Sequence, residues 1–127
     1  MDVTPLAAKD RQIIESYGAS GFRVSGNLYD GAILVLPHST EALPITALAN
    51  ISAAILAPVV AAGIQILLLG CGRHMVPVPS GLRQELRGHG VAVDAMDTGA
   101  ACRTYNVLLA EDRRVAAVLL PAGLNRN

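Results

Sequence analysis

Residues 42–72 contain no Asp, Glu, Lys or Arg, and this run constrains the fold of the chain more than any other feature. Residues 51–70 alone are long and apolar enough to be scored as a membrane span. Pro58 and Gly63 divide the run, however, and much of its hydropathy comes from alanine. Residues 64–70 have the pattern of a short buried strand that ends in glycine. We therefore expect a helix followed by a strand inside a protein core, and no membrane span.

The composition favours a single globular domain. The chain has 127 residues, 52% of them hydrophobic, which is enough to bury a core. Ten basic residues balance ten acidic ones and aromatic residues make up only 3% of the chain, so we expect no nucleic-acid partner. We expect one domain over residues 1–127, with residues 1–8 as a flexible arm and residues 122–127 as a flexible tail.

The cysteines and histidines show no metal or disulfide pattern. Cys71 and Cys102 are too few for a disulfide framework, and the three histidines lack the spacing of a metal site. The first residues carry no basic region followed by an apolar run, so no signal peptide is predicted. We expect no metal, no cofactor and a reducing, cytoplasmic location.

The order of predicted elements indicates an α/β protein. Short apolar runs separated by glycines predict an N-terminal β-meander, and strands alternating with helices follow it. Asp97 or Thr98 is expected to cap the longest helix, whose buried stripe would be Ala101, Thr104, Tyr105 and Leu108. Residues 37–44 are predicted to be a loop, and Ser80 to cap a helix that begins at Leu82. We expect one three-layer domain in which helices and the meander pack around a mixed central sheet.

The loops of residues 70–74 and 96–101 each follow a strand, and these two strands should be parallel neighbours. Ligands often bind at such strand ends. The amides of Gly99, Ala100 and Ala101, bare at the start of the long helix, could hold an anion, with Arg73 or Arg103 beside it. The glycines could equally be plain turn residues, and Asp97 could cap the helix itself. The candidate binding residues are Gly70, Cys71, Gly72, Arg73, Asp97, Thr98, Gly99, Arg103, Tyr105 and Asn106.

No catalytic motif stands out. Gly70 and Gly72 do not begin a dinucleotide fingerprint, because Met75 stands where the third glycine would be, and Lys9 is too isolated to serve a phosphate-binding loop. Cys71, with His74 three residues later, could be a thiolate nucleophile or a small apolar residue in a tight turn. We assign no catalytic residue.

Residues 96–111, with the sequence MDTGAACRTYNVLLAE, carry a family resemblance. Together with Tyr17-Gly18, Tyr29-Asp30-Gly31 and residues 113–117, they make residues 12–121 resemble a small family of unknown function. That family includes the mitochondrial complex I assembly factor three, an adipogenesis-associated vertebrate protein and a methanogen prototype structure. The resemblance implies a three-layer α/β fold and work in protein assembly. It also implies that Cys71 replaces a threonine and Asp112 a glycine of the family pattern.

These observations lead to two expected functions. The first is a non-enzymatic protein-interaction or assembly factor with an unknown protein partner, such as a membrane complex or its assembly intermediates. The second is a small anion-binding protein or enzyme that uses the pocket between the loop of residues 70–72 and the helix start at residues 97–101. Both leave a homo-oligomer open.

Overall fold

The computed structural model describes residues 10–123, and within them the chain forms eight strands and three α-helices. In chain order the elements are β1 Ile14–Tyr17, β2 Gly21–Val24, β3 Asn27–Asp30, β4 Ile33–Leu36, β5 Ser39–Ala42, α1 Ala53–Ala61, β6 Ile66–Gly70, α2 Leu82–Arg87, β7 Ala92–Met96, α3 Thr98–Ala110 and β8 Val115–Leu119. A short 3₁₀ helix, Leu48–Asn50, precedes α1.

A mixed five-stranded sheet forms the centre, in the order β5-β4-β8-β6-β7. β6 pairs parallel with both β7 and β8, while β4 pairs antiparallel with β5 and β8. Helix α2 connects β6 to β7, and α3 connects β7 to β8. The predicted parallel pairing of the strands after α1 and α2 is confirmed, and their following loops therefore leave the same edge of the sheet.

The N-terminal meander is a separate antiparallel sheet of β1, β2 and β3. Ser25 and Gly26 join β2 to β3, with φ values of 44° and 86°. Two consecutive positive φ values are typical of the tight hairpin turn whose twist matches that of its strands. The predicted meander is confirmed, although its turn lies one residue earlier than Gly26-Asn27.

The inner strands of the central sheet, β4, β8 and β6, are buried on both faces, and this gives the domain three layers. Alternate side chains of each strand point to opposite faces. One face packs on α1 and α2, with Val59 and Leu86 at its centre. The other face packs on α3 and the meander, with Phe22 and Tyr105 at its centre. The expected three-layer α/β arrangement is confirmed.

The charge-free run forms a helix and a strand, as predicted. The Ser52 hydroxyl accepts a hydrogen bond from the Ile55 amide at the start of α1, and Gly63, with a φ of 70°, follows the end of that helix. Pro58 lies inside α1 and does not divide that helix. In residues 10–123, no helix has both the length and the apolar character needed to cross a membrane.

Three local predictions are wrong. Residues 37–44 contain β5, an exposed edge strand that pairs only with β4, so its polar side chains gave no strand pattern. Gly81, in a left-handed conformation, occupies the N-cap of α2 in place of Ser80. The predicted stripe of α3 is correct at Ala101 and Tyr105 but wrong at Thr104 and Leu108, which are only half-buried. The buried side continues instead through Cys102 and Leu109.

The predicted terminal arm, residues 1–8, and residues 124–127 of the predicted tail lie outside the described residues. The Ala122 and Gly123 amides donate hydrogen bonds to the carbonyl oxygens of Gly18 and Ala19, at 3.0 and 3.1 Å. The described start of the predicted tail is therefore tied to the loop between β1 and β2.

Alkaline conditions should destabilise the fold through Cys102. This side chain is 3% exposed, and its burial raises the pKa of the thiol from 9.0 to about 12, against a smaller opposing effect of Arg103. The unfolded chain therefore loses the Cys102 proton first, so stability that is complete below pH 9 is lost progressively between pH 9 and pH 12. We expect Cys102→Ala to flatten the fall in urea-unfolding free energy over this range. An unchanged slope would contradict the assignment.

Candidate functional site

Thr98 joins the two strand-end loops. Its side chain is fully buried, and its hydroxyl accepts a hydrogen bond from the Gly72 amide at 2.8 Å and donates one to the Leu120 carbonyl at 2.6 Å. The Thr98 amide in turn donates to the Gly72 carbonyl at 2.8 Å. The start of α3 is therefore bonded to the chain after β6 and to the chain after β8.

Gly70 allows this close approach. A Cβ atom at this position would lie 2.7 Å from Leu119 Cδ2 and 3.2 Å from Thr98 Cα. Its carbonyl accepts the Leu120 amide at 3.0 Å, which continues the pairing of β6 with β8. Glycine is thus required at position 70 because any side chain there would collide with the side chain of Leu119 and the backbone of Thr98.

The start of α3 is capped from within the protein. A side-chain oxygen of Asp97 accepts the Ala100 amide at 3.0 Å, and the Asp97 carbonyl accepts the Ala101 amide at 3.0 Å. Of the two readings that the sequence left open, the structure shows capping by Asp97. The expectation that the amides of Ala100 and Ala101 are bare is wrong, because a neighbouring acceptor already takes both.

Cys71 is enclosed at the end of β6. It is almost fully buried, and its Sγ atom lies 3.7 Å from the carbonyl oxygens of Leu69 and Val76. Burial raises the pKa of the Cys71 thiol, which favours the protonated form over a nucleophilic thiolate. His74, by contrast, is exposed on the following loop. This arrangement fits the small residue in a tight turn better than the nucleophile.

Tyr17, which the sequence prediction did not include, lies over the first turn of α3. Its hydroxyl accepts a hydrogen bond from Arg103 Nη1 at 3.3 Å. A Cβ atom at Gly99 would lie 2.5 Å from that hydroxyl, so a larger residue there would displace the ring from this position. The side chain remains 42% exposed. Gly99 inside a helix, together with the Tyr17-Gly18 pair, was the signal in the sequence that could have indicated this contact.

Two hollows flank Tyr17. One, of about 340 Å³, is lined by Tyr17, Ala19 and Arg73 among others. The second, of about 380 Å³, runs between β1 and α3 and includes Arg103 and Cys102. We call the set Tyr17, Ala19, Arg73 and Arg103 the Tyr17 surface. The structure thus brings together two of the predicted binding residues, Arg73 and Arg103, around an aromatic ring.

Two other candidate residues have structural contacts instead. The Asn106 amide nitrogen donates to the Ile14 carbonyl at 2.8 Å, and its oxygen accepts the Ile14 amide at 3.0 Å, so Asn106 holds β1 against α3. Tyr105 is fully buried and donates a hydrogen bond to the Leu36 carbonyl at 3.3 Å. Including Tyr105 was wrong, because it faces the core, whereas Asn106 also lines the hollow between β1 and α3 together with Arg103.

The structure offers no metal site in its described part. Among residues 10–123, no three His, Cys, Asp or Glu side chains come close enough together to hold a metal ion.

Comparison with known proteins places this geometry in a family context. Residues 14–120 match the model of a family described as "Protein of unknown function (DUF498/DUF598)". An uncharacterized protein of Rhodobacter capsulatus is 39% identical over 108 residues, which cover 85% of this chain and 83% of that protein.

A zebrafish protein named NADH dehydrogenase [ubiquinone] 1 alpha subcomplex assembly factor 3 is 33% identical over 111 residues. The match covers 86% of this chain but only 64% of that factor. Among solved structures, one described as an outer membrane protein from Bartonella henselae superposes with a TM-score of 0.80 at 36% identity. It covers 89% of this chain and 97% of that one.

Thr98→Val should destabilise the protein without changing the volume of the side chain. Removing the hydroxyl leaves the Gly72 amide and the Leu120 carbonyl buried without this partner, at a cost of about 1–3 kcal/mol. Thr98→Ser, which keeps the hydroxyl, is the matched control and should cost less. Urea unfolding of both variants measures the difference, and equal stability of the two would show that the hydroxyl is not the important group.

Proposed function

Because the chain belongs to the protein family of unknown function DUF498/DUF598, whose matched relatives include complex I assembly factors, we propose that it is a protein-interaction module that acts in the assembly of a multisubunit complex. The family resemblance drawn from residues 96–111 is thereby confirmed. The chain spans less than two thirds of the length of the zebrafish factor, so its partner is part of this proposal.

The Tyr17 surface is the observation that supports this function best. Tyrosine and arginine are the residues that contribute most often to binding energy at protein interfaces. The Tyr17 ring packs against Gly99 and accepts a hydrogen bond from Arg103, so little conformational entropy is lost when a partner binds it. A half-exposed ring on a rigid support, flanked by charged groups, is the composition expected of an interface centre.

The charges of this surface suggest the chemistry of the partner. Arg73 and Arg103 are both exposed and carry positive charge on either side of the ring. A segment with carboxylate side chains could pair with them while an apolar residue packs on Tyr17. The proposed partner is therefore an acidic segment of a protein subunit, within a membrane complex or one of its assembly intermediates, met in the cytoplasm.

The alternative function, anion binding or catalysis at the strand-end loops, has less support. Asp97 takes two of the three amides that were expected to face a ligand, and it adds a negative charge at the same place. Thr98 fastens the loop at Gly72 to α3, which leaves these two segments bonded to each other. The polar groups that were expected to face a ligand therefore bond to each other at the ends of the strands.

Tyr17→Ala should abolish partner capture. We expect the tagged wild-type chain, purified from its native host, to retain a reproducible set of subunits of one membrane complex by mass spectrometry. A central interface residue contributes about 2 kcal/mol or more, so the variant should retain at least about tenfold less. Arg103→Gln should reduce capture in the same direction.

Leu28→Ala is the matched control, because it removes a side chain that is 78% exposed on β3. It should capture the same subunits as the wild type. Thermal unfolding of each variant checks that the fold is kept. Full capture by a folded Tyr17→Ala variant would contradict the assignment of the surface, and the absence of any subunits with the wild type would contradict the assembly role.

A further inference from the structure

A cleft lies at the end of the sheet opposite the Tyr17 surface. The hairpin between β4 and β5, the turn between α1 and β6, and the turn between α3 and β8 meet around a volume of about 360 Å³. Leu36, Ile64 and Leu109 line its apolar part, and all three are buried core residues. This volume is at the lower end of the range for small-molecule sites, which are mostly apolar with a few polar groups.

Positive charge gathers around this cleft. Arg11, Arg113 and Arg114 line it together with His38, while Asp112 is the one carboxylate among its described lining residues. Three guanidinium groups beside a single carboxylate leave an excess of positive charge next to an apolar wall. Arginine presents paired N–H groups that match the geometry of carboxylates and phosphates.

The backbone that carries these arginines is firmly held. The Arg114 carbonyl accepts the amides of Gln65 and Ile66 at 2.9 and 3.1 Å, and the Arg113 amide donates to the Leu108 carbonyl at 2.9 Å. The cationic side of the cleft is therefore built on the end of α3 and the first residues of the sheet. A binding site needs such support to hold its charged groups in one geometry.

We propose that this cleft binds a small organic anion: a carboxylate or phosphate group carried on an apolar body. The oxyanion pairs with the guanidinium groups of Arg113 and Arg114, and the apolar body packs on Ile64 and Leu109. The site is distinct from the Tyr17 surface, so its test is independent of the assembly role.

Asp112 reduces the positive charge of the cleft. It pairs with Arg11 and has a φ of 61°, a conformation that an aspartate adopts at some cost and a glycine readily. Its amide donates to the Leu109 carbonyl at 2.9 Å, which ends α3 in a left-handed turn. The Asp112 carboxylate neutralises Arg11 and places a negative charge among the lining residues of the cleft, so it lowers the attraction of the cleft for an anion.

The test is a titration followed by the NMR shifts of backbone amides. Phenyl phosphate and phenylacetate supply the two oxyanions on an apolar body, inorganic phosphate supplies the charge alone, and benzyl alcohol the apolar part alone. We expect at least one of the two aromatic anions to give saturable shifts at Ser39, Arg113 and Arg114. Inorganic phosphate and benzyl alcohol should bind about tenfold more weakly or not at all.

Variants distinguish the cleft from general attraction by positive charge. Arg113→Gln combined with Arg114→Gln should weaken binding about tenfold, whereas Asp112→Asn should tighten it about threefold, because its negative charge is removed. Arg23→Gln on β2 combined with Arg87→Gln on α2 removes the same two positive charges away from the cleft and should change nothing. Asp112→Asn keeps the test decisive even if the double variant fails to fold.

Three results would overturn the proposal. These are the absence of saturable shifts with either aromatic anion, binding of benzyl alcohol as tight as that of the aromatic anions, or shifts confined to Gly72 and Gly99 at the opposite end of the sheet. The last result would favour the strand-end anion site instead.

Discussion

The burial of both faces of the central sheet is the constraint on which the rest of the structure depends. Every residue of β8 is buried, so its polar backbone groups must be paired within the protein. The neighbours β4 and β6 meet this need along the strand. Beyond its end, the Leu120 amide pairs with Gly70 and its carbonyl with Thr98. Each face of the sheet then needs its own layer packed on it. Helices α1 and α2 form one layer, and α3 with the meander forms the other.

Helix α3 contributes to most of these arrangements, which explains why residues 96–111 carry the family resemblance. One side of the helix enters the core through Cys102, Tyr105 and Leu109. Its first turn receives Tyr17, and Asn106 holds the edge of β1. These positions of α3 therefore each have a contact with another element, whereas Val107 and Ala110 are exposed.

The two ends of the sheet differ in what they can offer a partner. At one end the side chains of Thr98 and Asp97 accept the backbone amides of Gly72 and Ala100, so recognition there is left to side chains on the outer surface. At the other end three turns meet without filling the space between them, and arginines surround an apolar wall. Both proposals follow from this difference: an exposed tyrosine with arginines beside it, suited to a protein partner, and a small cleft suited to an organic anion.

Local patterns determined much of the fold. The charge-free run, the cap at Asp97 and the parallel pairing of β6 with β7 could be predicted, because hydropathy and capping act over a few residues. Tertiary packing decided the rest. β5 is a strand only because β4 pairs with it, and α3 is turned toward Cys102 because the sheet lies there. Tyr17 and Gly99 are more than eighty positions apart, so their contact exists only after folding brings β1 onto α3, and no local pattern encodes that approach.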